Sequence, residues 1–124
     1  MKTREITIAG KQVTLAYCYA TEIGFKDLAD QDINYWMVEA VTALQEQRMP
    51  DIKKTIFAIL ASMMAYCNAK GEEAIIADTD LMNDATPEEI GMALGTIIAL
   101  RAEFYHLPKD EPEDKKEEGE EKNA

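Results

Sequence analysis

Histidine, serine and cysteine, the residues of the common nucleophile–base pairs, are few in this chain of 124 residues, which has one histidine, one serine and two cysteines. Ser62 lies inside an apolar run, where we expect its hydroxyl to bond to its own helix. His106 is predicted in the last turn of a helix, where a cation complements the helix dipole. Cys18 and Cys67 have no second Cys or His beside them, so neither a zinc site nor a disulfide framework is indicated. We expect no catalytic site, no cofactor and no metal.

An acidic run between residues 78 and 84 invites comparison with a calcium loop, because Asp78, Asp80 and Glu89 stand at loop positions one, three and twelve. The fifth position is Met82, which has no side-chain oxygen, and the sixth is Asn83, where the sharp turn requires glycine. The run is better explained as a linker with one helical turn at 79–84.

The charge of the chain excludes one large class of partners. Its 13 basic and 24 acidic residues give a formal net charge of -11, the wrong sign for neutralising nucleic-acid phosphates. The first ten residues lack an apolar segment, and the longest apolar stretch is shorter than the ~20 residues of a membrane span. We therefore expect no membrane association and a cytoplasmic location.

The N-terminal segment 3–18 has the alternation of a β-hairpin. Gly10-Lys11 suits the two central positions of a type II′ turn. The register counted from that turn pairs Ile8 with Val13, Ile6 with Leu15, and Arg4 with Tyr17. Its apolar face needs a covering layer, because an isolated hairpin is marginally stable in water.

Four predicted helices can form that layer. Helical periodicity indicates them at about 20–29, 33–47, 51–69 and 87–106. Asp32 is a predicted N-cap and Gly71 a predicted C-terminal stop. Thr86 and Glu89 form a capping box with Pro at the first helical position between them. The third helix is apolar nearly all round, which predicts that it lies at the centre of the bundle.

These elements predict an α+β, mostly α, domain over 1–107, in which an N-terminal β-hairpin packs on a bundle of about four helices. Residues 108–124 are predicted to be a disordered acidic tail, because they are rich in charge and nearly devoid of apolar residues. In the last helix Gly91, Gly95 and Ala99 recur every four residues, which favours close packing of another helix, with a ligand groove as the alternative.

Candidate partner-binding residues are Tyr35, Trp36, Met37 and Met49. Trp36 follows Tyr35 at a helix start and is an aromatic anchor if it is exposed, or a core residue if it is not. Methionine suits surfaces that accept varied apolar partners, as well as irregular cores. For Met63 and Met64 we favour the core.

The order of elements resembles the small tail assembly chaperones of long-tailed bacteriophages. The resemblance spans residues 4–107 and is carried by the hairpin ITIAGKQVTLAY, the helix and loop containing FKDLADQDI, the middle helices and the final helix TPEEIGMAL, followed by an acidic tail.

That resemblance implies a non-enzymatic protein of the host cytoplasm that binds the helical tape-measure protein, keeps it soluble and helps tail tube subunits assemble around it. It also implies that a frameshifted, extended form can exist. The alternative is a small acidic helical adaptor or regulatory binding protein, homodimeric or otherwise oligomeric.

Overall fold

The computed structural model describes residues 1–108, which form a two-stranded antiparallel hairpin followed by five helices. In chain order the elements are β1 (Lys2–Ile8), β2 (Lys11–Tyr17), α1 (Tyr19–Ala29), α2 (Ile33–Gln45), α3 (Ile52–Lys70), α4 (Asp78–Asp84) and α5 (Pro87–Phe104). The predicted fold class is confirmed, with the expected turn at 79–84 present as the short helix α4. The predicted tail lies, from residue 109 onward, outside the described residues. Among the described helices, none has both the length and the apolarity needed to cross a bilayer.

The hairpin turns one residue earlier than predicted. Ile6 pairs with Val13 rather than with Leu15, and the turn residues are Ala9 and Gly10, with φ angles of 52° and 76°. Positive φ at both central positions is the geometry of a type I′ turn, so the predicted type II′ turn is wrong. The apolar face is nevertheless as predicted, because the pairing moves by two residues and side chains alternate with a period of two.

A carboxylate joins the hairpin turn to the start of α5. Oε1 of Glu89 accepts hydrogen bonds from the backbone N–H of Thr86 at 3.0 Å and of Ala9 at 3.2 Å. The Thr86 hydroxyl in turn accepts from the Glu89 N–H at 3.1 Å, which confirms the capping box. These bonds, that from Thr86 foremost, lower the pKa of Glu89 because they favour its charged form.

The third helix is the central element, as predicted from its apolar residues on nearly every side. Ile56, Ile59 and Met63 are buried along one side of α3. Met64, for which the core was predicted, is instead 40% exposed, and Ile52 is 51% exposed. Ile52 is the first residue of the helix.

Close helix packing occurs between α1 and α3. A Cβ added at Gly24 would lie 3.5 Å from the Cβ of Ala61, so the two backbones approach closely where both residues are small. Phe25, next to Gly24, is fully buried. The first helix is thereby fixed on the central one.

The last helix ends two residues before its predicted end. Phe104 is its final residue, and His106 follows in the left-handed conformation with a φ of 56°. The N–H of Leu107 donates to the carbonyl of Ala102 at 2.8 Å, closing a Schellman-type end. His106 therefore lies just beyond the helix rather than in its last turn.

Candidate functional site

The structure does not bring Ser62, Cys67 and His106 together into one site. Ser62 is fully buried in α3, and its Oγ has no hydrogen-bond partner among the described residues, so the predicted bond to its own helix is wrong. Burial raises the pKa of the Cys67 thiol, which keeps it in its less nucleophilic form. His106 is exposed and lines a groove that includes neither of them. Within the described residues, no cluster of three or more His, Cys, Asp or Glu side chains could hold a metal.

The fully buried Tyr17 and the partly buried Tyr105 share one carboxylate. The hydroxyls of Tyr17 and Tyr105 both donate to Oε2 of Glu22, at 2.7 Å and 2.5 Å. Burial, followed by these hydrogen bonds, raises the pKa of Tyr105 to about 12 and that of Tyr17 well above its ordinary value. Because the three side chains come from β2, α1 and the end of α5, the cluster ties together elements that are distant in sequence.

The four candidate binding residues divide into two exposed and two buried. Trp36 is fully buried and stacks on Phe25 with ring centroids 5.3 Å apart, and Met37 is 3% exposed. Of the two alternatives for Trp36, the structure therefore shows the core residue, and Met37, also a predicted partner-binding residue, is buried beside it in sequence. Tyr35 and Met49 are at the surface, 75% and 43% exposed. Ile33, Trp36 and Ala40 recur at helical spacing, and this pattern indicates in the sequence that the indole lies on the inner face of α2.

An open apolar groove of about 770 Å³ lies where α3, α4 and the start of α5 meet. We call it the α3/α4 groove. Its lining consists of apolar side chains with one cation and one carboxylate, namely Met49, Ile52, Lys53, Ile56, Phe57, Asp78, Leu81, Met82, Ala85, Pro87 and Ile90. Of these, Met49, Ile52 and Met82 expose 43%, 51% and 58% of their surface. Met49 is one of the predicted partner-binding residues, whereas Ile52 and Met82 carry no signal in the sequence that sets them apart from other apolar residues.

Local sequence explains how α4 forms one wall of this groove. The Asp80 carboxylate accepts from the N–H of Ala77 at 2.9 Å and so caps the start of the helix. Leu81 is buried and anchors α4 on the core. Its neighbour Met82 lines the same groove and is 58% exposed. The groove therefore depends on a helix of seven residues, held by one cap and one apolar side chain.

A second groove runs beside α5, and it contradicts the predicted helix packing. Nothing among the described residues lies within 4 Å of a Cβ added at Gly91 or Gly95, so no helix packs closely there. The core-facing positions of α5 are Leu94 and Ile97, and the glycines lie beside them at the edge of the core. Gly95 instead lines an open groove together with Val41 of α2.

Comparison with known proteins assigns this chain to no family. No protein-family model matches this chain, and neither does any curated protein or any solved structure. Function must therefore be argued from the geometry of the molecule.

Proposed function

We propose that this protein is a non-enzymatic tail assembly chaperone of a long-tailed bacteriophage, which binds helical segments of the tape-measure protein and keeps them soluble in the host cytoplasm. The observation that carries the proposal is the α3/α4 groove, an open apolar surface with three partly exposed apolar side chains at its edge. The order of elements, which resembles that chaperone family, supplies the identity of the partner.

The chemistry of the groove supports a helical occupant. Amphipathic helices bind by laying their apolar face into a hydrophobic groove, with anchors at i, i+3, i+4 and i+7. Met49 and Met82 are unbranched and polarizable, so their side chains can adapt to different apolar residues along a long partner. A chaperone for an extended, repetitive helix requires such tolerance more than it requires one exact complement.

The net charge of the chain supports the proposal that it keeps the bound protein soluble. A chain with a formal net charge of -11 repels other copies of itself and of its complexes. An apolar helix bound in the groove is thereby shielded and carried on a strongly acidic body. We extend the proposal to tail tube subunits as a further partner, which would assemble on the tape-measure protein once it is coated.

Co-expression tests the function directly. The full chain, co-expressed with a long helical tape-measure protein, should bring that protein into the soluble fraction and elute with it. Met82→Asp should abolish this effect, because it places a charge on the groove surface. Met92→Asp is the matched control, since Met92 is 67% exposed and lies outside the groove. Solubilisation that both variants retain, or that the wild-type chain does not produce, would contradict the proposal.

Salt dependence separates this function from the alternative of an acidic adaptor. Apolar burial in the groove should persist at high ionic strength, whereas recognition of a basic partner through surface carboxylates alone should weaken steeply. Calorimetric titration of the soluble complex at low and at high salt distinguishes the two. Loss of binding at high salt would favour the adaptor.

A further inference from the structure

The groove beside α5 is lined by an excess of positive charge, although the whole chain has a formal net charge of -11. We call it the α2/α5 groove. Its volume is about 910 Å³, and its lining comes from β1, α2, α5 and the residues just after α5. Within residues 1–108, the charged side chains of that lining are three cations, Lys2, Arg4 and Arg101, and one carboxylate, Glu103, and the exposed His106 lines it too.

Only part of this positive charge is neutralised within the protein. Arg4 forms an ion pair with Glu103 at 2.9 Å. Arg101 donates from Nε to the neutral side chain of Asn34 at 2.7 Å, and it forms no ion pair in the described part of the chain. Lys2 is exposed and likewise forms no ion pair with any described residue. Two cations therefore remain available to an acidic occupant.

The wall that α5 contributes to this groove suits an approaching helix. Gly95, Ala99 and Ala102 line it at spacings of four and three, which places them on one face of α5. The space in front of Gly95 is open, because no described atom lies within 4 Å of a Cβ added there. Small side chains allow the axes of two helices to come close. The partly buried Val41 and Ile98 add apolar surface to the floor of the groove.

We propose that the α2/α5 groove is a second protein-binding surface, which takes an amphipathic helix of a partner with glutamate or aspartate beside its apolar stripe. The stripe packs on the small and apolar residues of the groove, and the flanking carboxylates lie near Lys2 and Arg101. A helix with basic flanks would meet like charges there, which disfavours its binding. This inference does not depend on the function proposed for the α3/α4 groove, whose charged lining is one lysine and one aspartate.

Two synthetic helical peptides of about 18 residues test this selection, because that length gives about five helical turns. Both carry the same leucine stripe, and they differ only in having glutamate or lysine at every flanking position. Fluorescence anisotropy measures their affinities for the full-length Met82→Asp variant, in which a charge on the α3/α4 groove keeps that groove from contributing. At about 0.15 M salt, which screens distant acidic groups, the glutamate peptide should bind about fivefold more tightly, corresponding to two exposed ion pairs. Equal affinities, or tighter binding of the lysine peptide, would overturn the proposal.

A matched pair of glycine substitutions in the same chain locates the binding surface. Gly95→Leu places a side chain in the groove and should weaken binding of the glutamate peptide by about tenfold or more. Gly91→Leu adds the same side chain one turn earlier in α5, where it lines neither groove, and should change the affinity by less than about twofold. Both variants should fold, because a Cβ at either glycine has no described atom within 4 Å and leucine favours a helix more than glycine does. Equal effects of the two substitutions would contradict the proposal.

Charge-neutralising variants identify the cations involved. Lys2→Gln combined with Arg101→Gln should reduce the preference for the glutamate peptide to less than about twofold. Lys26→Gln combined with Lys70→Gln makes the same change in net charge at exposed positions outside the groove, and it should leave the preference unchanged. An equal loss in the two double variants would show that net charge, rather than the groove, produces the preference, and would overturn the proposal.

A peptide with the sequence of residues 109–124 tests a competing occupant. That segment of the chain has eight acidic residues but no apolar residue except the terminal alanine, so it has no apolar stripe. We expect it to bind about tenfold more weakly than the glutamate peptide, because it buries almost no apolar surface. Comparable binding of the two peptides would show that the groove takes any acidic segment, including the chain's own, and would overturn the proposal of an amphipathic partner helix.

Discussion

Ala9 occupies a backbone conformation that its side chain disfavours. Its φ of 52° lies in the left-handed region, which costs a residue with a Cβ roughly 1–2 kcal/mol. Asparagine tolerates that conformation better, and Asn-Gly is the preferred pair for a type I′ turn. Sequence analysis missed this turn because alanine at its first central position gives no signal, whereas Gly10 fits either turn type.

Replacing this alanine should stabilise the hairpin. We expect Ala9→Asn to raise the free energy of unfolding by about 0.5–1 kcal/mol, because it relieves the strain and retains the N–H that bonds Glu89. Gly10→Ala should have the opposite effect, since Gly10 has a φ of 76°. Urea unfolding of both variants measures the changes. A destabilising Ala9→Asn would show that the turn is not type I′.

At the scale of elements, the tyrosine cluster should make stability depend on alkaline pH. Unfolded tyrosines lose their protons near pH 10, whereas the pKa of Tyr105 in the folded protein is about 12. Above pH 10 the unfolded state therefore binds fewer protons than the folded state, and the free energy of unfolding falls as pH rises toward 12. Tyr105→Phe should reduce this dependence, while Tyr35→Phe at an exposed position should not. Urea unfolding followed by circular dichroism from about pH 9 to 12 tests it; a Tyr105→Phe curve as steep as that of the wild type would contradict the assignment.

The central position of α3 leads to a contrast between two isoleucines of the same helix. Ile59 is fully buried and Ile52 is 51% exposed. We expect Ile59→Ala to lower the free energy of unfolding by about 2–5 kcal/mol through lost burial and a residual cavity. Ile52→Ala should change it by less than about 0.5 kcal/mol. Thermal unfolding of both variants checks the contrast, and similar losses at the two positions would show that α3 is not the central helix.

The elements themselves were largely predictable, because their signals are local. Capping by Asp32 and by Thr86 with Glu89, and the stop at Gly71, are contained within a few residues each, and all three are found in the structure. Trp36 is covered in part by Phe25, which belongs to another helix. A contact between two helices leaves no local pattern in the sequence around either residue. Helical periodicity favours the core for Trp36, but it does not exclude an exposed position at a helix start.

The α3/α4 groove belongs to the whole molecule and could not be predicted in the same way. It is formed by side chains from α3, α4, α5 and the segments beside them, up to 41 positions apart from Met49 to Ile90. Each exposed apolar residue at its edge is unremarkable singly, since soluble proteins expose many such side chains. Only their convergence on one surface supports the proposal of a binding site there.

The last prediction concerns the acidic segment after Pro108. Residues 109–124 carry 12 charges and one apolar residue, the terminal alanine, so they have almost no apolar surface to bury on folding. Truncation after Pro108 should therefore leave the thermal unfolding midpoint within about two degrees of the full chain. It removes four of the eleven net negative charges, so the solubility limit of the protein should fall. Calorimetry and a precipitation assay on both chains separate these effects. A midpoint lowered by about ten degrees would instead show that the segment docks on the domain.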